Sequence, residues 1–274
     1  MKFPEYKAIP ALNATIIKAG AKSMRAMRHE ATVGREQTKA LTMGTALHQA
    51  VLEPGEWANV LTFIGTRNTN AYKALLAANP DALILSVDEH DEIQRAADYL
   101  AGCKDVQELL AGTEREVTIQ WNDAEIGAMC KSRIDAVRRG TNTTHPVIVE
   151  LKTARELGEN CRAFIRQSEQ LHYHLQLAFY GRGFRTVYGV NPQILVLAVQ
   201  VVPFCDHSIM PVDPYQMNIA EAKCVDIARR YLACCKAGVW QGVGNAPFVV
   251  SRYAAGMEDV PELEDMERME AVEG

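Results

Sequence analysis

Two short runs of β-branched and aliphatic residues, Ser132 to Val137 and Val147 to Thr153, flank a breaker-rich segment, Arg138 to Pro146, that contains Gly140, Asn142 and Pro146. The pattern predicts two strands joined by a hairpin-like loop. Side chains alternate faces along a strand, so Val147, Val149 and Leu151 form a wholly aliphatic face while Ile148, Glu150 and Lys152 share the other. Upstream, Glu116 to Trp121 and Ile126 to Val137 alternate in the same way around a turn at Asn122 to Glu125, which predicts a three-stranded antiparallel meander with 147–152. A continuous aliphatic run over 193–202, entered through Asn191-Pro192, reads as a buried central strand, with Ile209 to Val212 as a short partner and a strand-like piece over 59–64.

Helical periodicity accounts for most of the remainder. One or two short helices are expected over 11–30, placing Arg25 and Arg28 on a common face. A helix from Thr42 to Glu53 ends at Pro54-Gly55; Met43, Leu47, Ala50 and Val51 form its stripe and His48 lies at the edge, where a lone His reads as a hydrogen-bonded boundary residue. Helical segments follow at 69–78 and 88–101, the latter capped by Ser86 with Glu89. The longest helix is expected over 168–188, with Leu171, Leu175, Ala178 and Phe179 inward and His172, Gln176 and Tyr180 sharing a second face. An amphipathic helix over 214–237 and a closing segment over 240–253 complete the body. The expectation is one domain over 1–255, of α/β (α+β) class, with a mixed central sheet flanked by helices.

Composition narrows the setting. The 274 residues suffice for a sizeable core, and no apolar run reaches the roughly 18 residues of a membrane span. The start lacks the apolar core of a signal peptide, and the seven cysteines have no regular spacing, so reduced thiols in a cytoplasm are expected. The net charge of −5 is uneven: Glu258 to Gly274 holds eight acidic residues against one Arg, a net of −7, so the preceding part sums to +2 (−5 less −7). Residues 256–274 are expected to be a disordered acidic tail, and any grip on an acidic partner must come from local basic clusters. Gly20-Ala21-Lys22-Ser23 lacks the earlier glycine and the preceding strand of a phosphate-binding loop.

The chemistry concentrates on the second run of the meander. Glu150 and Lys152 project side by side, and Asp135 can come alongside from the neighbouring strand. Two carboxylates with the Leu151 carbonyl can hold a hard divalent cation, and Lys152 can neutralise charge on an attacked phosphate. The competing reading of so short a pattern is a Glu–Lys pair on a solvated strand face.

Four motifs in order resolve that choice. Gly44-Thr45-Ala46-Leu47-His48 precedes Leu52-Glu53-Pro54; Arg133-Ile134-Asp135 is followed by Val149-Glu150-Leu151-Lys152-Thr153; Tyr173 to Tyr180 then carries Gln176 and Tyr180 in a Q-x-x-x-Y arrangement. In these the sequence resembles the PD-(D/E)XK nuclease superfamily, with a restriction-endonuclease-like core. More narrowly it resembles the RecE-like phage and prophage exonucleases related to exonuclease VIII, with lambda-type exonuclease a more distant relative. Ile134 replaces the proline of the superfamily's name. The resemblance spans about residues 40–255.

It implies roles. Asp135 and Glu150 would bind Mg²⁺, for which Mn²⁺ can substitute, with His48 and the Leu151 carbonyl joining them; Lys152 would be the catalytic lysine. Glu116 is either an additional ligand or a surface carboxylate. Gln176 and Tyr180 would contact the scissile strand, and Arg25, Arg28 and Arg35 are candidates for gripping a 5′ phosphate. His172 and His174 are weaker candidates. The implied activity is a 5′-to-3′ exodeoxyribonuclease on double-stranded DNA ends, leaving 3′ overhangs for a RecT/beta-like single-strand annealing partner. The implied assembly is a homo-oligomeric ring, trimer or tetramer, in a bacterial cytoplasm and encoded by a phage or prophage. The alternatives are a RecB-type nuclease of DNA repair or CRISPR adaptation and a non-catalytic DNA-binding protein on the same fold. No iron–sulfur cluster is expected, because Cys224, Cys234 and Cys235 lack the spacing for one.

Overall fold

The N-terminal third of the chain is mostly helical. It supplies α1 (Phe3–Ala8), α2 (Ala14–Gly20), α3 (Met24–Thr32), α4 (Lys39–Leu52) and α5 (Pro54–Trp57). A small parallel pair follows, β1 (Leu61–Phe63) and β2 (Ile84–Ser86), with α6 (Asn70–Ala78) between them, then α7 (Val87–Gly102) and α8 (Lys104–Leu110). A five-stranded sheet comes next: β3 (Glu114–Asp123), β4 (Ala128–Arg138), β5 (Val147–Ala154), β6 (Gln193–Gln200) and β7 (Asp206–Pro211), adjacent in that order. Helices α9 (Arg162–Gln170) and α10 (Tyr173–Tyr188) cross from β5 to β6, and α11 (Pro214–Ala237) follows β7. These elements are from a computed structural model that describes residues 3–80, 82–141 and 144–244. The expected tail over 256–274 and most of the closing segment over 240–253 lie outside the described residues.

The sheet is mixed, as expected. β3, β4 and β5 form the antiparallel meander, β5 and β6 run parallel, and β7 returns antiparallel along β6. Parallel neighbours need a long crossover, which α9 and α10 provide. The alternation read in β5 divides the core in two. Ile148 packs with Ile17, Met27, Phe179 and Phe184 under α2, α3, α10 and α11. Val147, Val149 and Leu151 pack on the other face with Leu47, Ile93 and Leu100 of α4 and α7.

Two close approaches set the helix positions on the first face. A Cβ at Gly183 would stand 2.6 Å from two ring atoms of Trp121, so α10 lies directly on β3. A Cβ at Gly20 would collide with the Ile227 side chain of α11. The buried Lys131 is anchored by carbonyls rather than by a carboxylate: its ammonium donates to the Tyr6, Lys7 and Ile9 oxygens at 2.8, 3.2 and 2.6 Å. Cations suit the carbonyl end of a helix, and here one ties α1 to the sheet.

Several elements differ from the sequence expectation. The helix expected over 168–188 is two helices: Leu171 caps α9 and His172, at φ 53°, turns the chain into α10. Leu171 is therefore 48% exposed instead of in the stripe, and His172 is the left-handed N-cap of α10 instead of a residue within a continuous helix. Neither Gly nor Pro marks that break. The helix expected from Thr42 begins at Lys39, because the Thr38 side chain accepts from the Leu41 amide and caps an earlier turn. Of its expected stripe only Leu47 is fully buried, joined by Ala46 and Leu52, while Met43, Ala50 and Val51 lie at the core's margin. The first meander turn falls at 124–127, where Gly127 takes φ 78° and the Asp123 carboxylate accepts from the Glu125 and Ile126 amides. The piece at 59–64 shortens to β1, paired with a β2 too short for periodicity to reveal. The capping box at Ser86 and Glu89 forms as expected.

Candidate active site

The ladder between β4 and β5 is short. Only Ala136, Val137 and Arg138 pair, with Val149, Ile148 and Val147. Where the strands part, the Asp135 side chain takes the place of a ladder partner, and its Oδ2 accepts from the Leu151 amide at 2.8 Å. Glu116 lies opposite Asp135 on β3, between the pairs Arg115–Ala136 and Val117–Ile134, and is itself unpaired at φ 49°. A left-handed non-glycine residue in mid-strand costs on the order of 1–3 kcal/mol, and such strain concentrates at functional sites. Here it coincides with the Glu116 carboxylate standing beside Asp135.

His48 enters from α4. Its Nε2 lies 2.9 Å from the Leu151 carbonyl oxygen, and its Nδ1 lies 3.5 Å from Asp135 Oδ1 and 3.9 Å from Glu116 Oε1. Ligand-type atoms of His48, Glu116 and Asp135 are all within 4.8 Å of one another. Glu116 Oε2 is 3.2 Å from Arg133 Nε, and Arg133 reaches on to Glu53 at 3.0 Å. The structure thus places Glu116 among the site residues and gives the Leu151 carbonyl a partner in His48.

Glu150 is fully buried. Its Oε1 accepts from Lys152 Nζ and from Gln176 Nε2, both at 2.5 Å, while Oε2 is buried with no partner. Lys18, on α2, donates to Gln176 Oε1 at 2.7 Å. A lysine can only donate, so this contact sets which amide end faces Glu150. Gln176 Nε2 also reaches the Tyr180 hydroxyl at 3.1 Å, and Tyr180 lies buried behind it. Lys152 and Lys18 stand 5.0 and 5.4 Å from the centre of the Tyr173 ring. Lys18 was not among the residues singled out in the sequence, although a signal exists: Ala14, Ile17, Lys18 and Ala21 follow helical spacing, so Lys18 interrupts an apolar stripe.

The electrostatics describe a site short of positive charge. Burial, with the Asp135 charge next, lifts the Glu150 carboxyl to about 7. Burial also raises Asp135, against the pull of His48 and Lys152. Burial disfavours charge on His48, yet Asp135 and Glu116 outweigh it and lift the imidazole to about 9. Lys152 is likewise raised, because Glu150 and Asp135 overcome its burial. Lys18, with less compensation, is pushed down to about 7 by burial and by Lys152. A divalent cation fits this donor set. It would be attracted by the crowded carboxylates, and the orphaned Glu150 Oε2 would gain a partner.

The other candidates lie elsewhere. Arg25 and Arg28 share a surface cavity of about 540 Å³ with His29, Thr32, Val33 and Trp240. Arg28 stacks on the Trp240 ring at 5.1 Å and Arg25 Nε donates to the Trp240 carbonyl at 3.1 Å. Arg35 does not line that cavity; it pairs with Glu30 at 3.4 Å, and its charge acts on Lys18. His172 and His174 meet edge to face at 5.8 Å, outside the acidic cluster.

No curated protein matches the chain. Among solved structures, the crystal structure of a "Putative exonuclease" from Eubacterium rectale is similar over 94% of this chain and 99% of that chain, with a TM-score of 0.60 and 14% identity. That likeness shows a shared fold. The crystal structure of SSO0001 matches over 80% of this chain and 84% of that chain at 18% identity, with a TM-score of 0.32 too low to carry an argument. Among the described residues no helix is long and apolar enough to cross a membrane. Residues 12–246, which hold the mixed sheet and every residue of the cluster around Asp135 and Glu150, match the model of one family along their whole length. The chain belongs to that family, the PDDEXK-like domain of unknown function (DUF3799), and carries a nuclease-type fold.

Proposed function

We propose that the protein is a Mg²⁺-dependent exonuclease that degrades double-stranded DNA from the 5′ end and leaves 3′ single-stranded overhangs. The observation that carries the reading is the buried Glu150, held on one oxygen by Lys152 and Gln176 and left free on the other, beside Asp135. Such a carboxylate is positioned and undersatisfied, which suits a ligand awaiting a cation. Asp135 and Glu150, with Glu116 and His48, would hold Mg²⁺ or Mn²⁺, and the cation would supply an acidified water and neutralise phosphate charge.

The chain's own groups do the remainder. Lys152, fixed at Glu150, presents a charge where negative charge builds on the phosphate, in a setting that excludes bulk water. Gln176 fixes the Glu150 rotamer, and Lys18 and Tyr180 fix Gln176. His48 ties α4 to the Leu151 carbonyl, so the Asp135 and Glu150 strands keep their spacing. Arg25 and Arg28 offer a basic recess for a terminal phosphate. The similarity to a structure named as an exonuclease favours action at ends. A ring of subunits, a single-strand annealing partner and a phage or prophage origin in a bacterial cytoplasm belong to the same reading through the RecE-like resemblance.

Linear duplexes labelled at one 5′ or one 3′ end test it. The 5′ label should be released first in Mg²⁺, with closed circles untouched. Earlier release of the 3′ label, or cutting of closed circles, would overturn the exonuclease reading while leaving a nuclease.

A further inference from the structure

On the opposite side of the sheet from Gln176, two sequence-distant tripeptides meet. Cys103-Lys104-Asp105 forms the junction of α7 and α8, and Cys205-Asp206-His207 opens the edge strand β7. Each offers two metal-type donors at i and i+2. Ligand atoms of Cys103, Asp105 and His207 all lie within 4.8 Å of one another. His207 Nε2 is 2.9 Å from Asp105 Oδ2, while Asp105 Oδ1 is occupied by the Val106 amide at 2.9 Å. The other ring nitrogen of His207 is 3.2 Å from the Tyr99 hydroxyl, and the Cys103 thiol donates to the Tyr99 carbonyl at 3.2 Å. Cys205 lies one residue before β7 and two before His207, outside that 4.8 Å group, with its thiol raised first by burial and then by the neighbouring Cys103.

We propose that Cys103, Asp105 and His207, joined by Cys205, form a second metal site for a borderline-soft divalent cation of the Zn²⁺ class, clamping the α7–α8 junction to the edge strand β7. The donor set separates this site from the nuclease centre. Two sulfurs, one imidazole and one carboxylate suit tetrahedral Zn²⁺, whereas the oxygen-rich Asp135 cluster suits Mg²⁺. Tetrahedral bonds of about 2.0–2.3 Å put neighbouring donors about 3.3–3.8 Å apart, so the three donors need move by only about an ångström. Tyr99 supplies the supporting contact a metal-bound histidine needs: with Nε2 on the cation, Nδ1–H donates to the Tyr99 oxygen. Binding releases the thiol protons to solvent, while the neutral imidazole keeps its single proton, carried on Nδ1. The clamp acts at a sheet edge, where only β6 pairs with β7 among the described residues, and it ties chain segments about a hundred residues apart.

The test uses untagged full-length protein, stripped with chelator and kept reduced, then titrated with Co²⁺ and back-titrated with Zn²⁺. One equivalent of Co²⁺ should produce a near-ultraviolet thiolate-to-cobalt band and strong visible absorption of a tetrahedral ion, and one equivalent of Zn²⁺ should bleach both. Cys103→Ser with Cys205→Ser should lose the bands, and Asp135→Asn should keep them. The absence of a thiolate band in the wild-type protein overturns the proposal even if the cysteine variant fails to fold. Bands that persist in the double variant, or vanish in Asp135→Asn, overturn it equally.

Discussion

Replacing Glu150 with glutamine should stabilise the metal-free protein while destroying its activity. The carboxyl is fully buried, and its folded-state pKa stands at about 7 against a reference of 4.5. A raised carboxyl leaves stability intact below pH 4.5 and removes it progressively as pH climbs towards 7. The gap between those two values corresponds to roughly 3 kcal/mol at pH 8, and to under about 1 kcal/mol at pH 5. No solvent discount applies to a side chain so enclosed. A glutamine in its place would keep an oxygen facing Lys152 and Gln176 without the charge, so E150Q should recover most of that penalty. For a domain of this size the gain is about 6–12 °C in Tm at pH 8, shrinking to a few degrees at pH 5. Thermal melts in chelator, at both pH values, measure it. Added Mg²⁺ should then stabilise the wild type and leave E150Q nearly unmoved. A variant that melts at or below the wild type at pH 8 would refute the reasoning, because Glu150 would then be a satisfied structural carboxylate.

Lys18→Met should lower nuclease turnover about 10–100-fold with little change in fold, the usual cost of removing a group that orients a ligand's partner, as read by initial rates and circular dichroism. Asp123 is buried, and Arg182 and local amides overcome that burial to hold its pKa at about 2. Its ionised form therefore contributes about 2–3 kcal/mol above pH 4 that is lost as pH falls to 2, so D123N should cost that much at pH 7 and nothing at pH 2 by urea denaturation. Gly183→Ala should destabilise by about 1–3 kcal/mol and shift tryptophan fluorescence, since the added methyl meets the Trp121 ring at 2.6 Å.

Much of the site was legible because strand alternation is a strict period. The faces of β5 follow from residue order alone, and the two halves of the core divide along the same alternation, whereas the register that sets Asp135 on the Leu151 amide comes from the structure. The His48 helix and the Gln176 helix were placed by their apolar spacing. What stayed hidden depended on single backbone conformations or on contacts far apart in the chain. His172 adopts φ 53° without Gly or Pro, so the break between α9 and α10 leaves no trace in the pattern. Glu116 is a candidate ligand only through the resemblance, and nothing in the strand pattern announces the left-handed conformation that accompanies its place in the site. Lys18 meets Gln176 across 158 residues, and nothing local to either announces the pair. The cysteines looked unspaced because the relevant spacing, Cys103 with Cys205, exists only once β7 lies beside the α7–α8 junction.

Everything proposed for the activity turns on a divalent-metal phosphodiesterase centre at Asp135, Glu150 and Lys152. Its most direct test is degradation of linear duplex DNA by purified wild type and Asp135→Asn, each with Mg²⁺ and with chelator. Degradation by the wild type in Mg²⁺ alone, and none by the folded variant in either condition, is the expected result. Mg²⁺-dependent degradation by Asp135→Asn at the wild-type rate would contradict it.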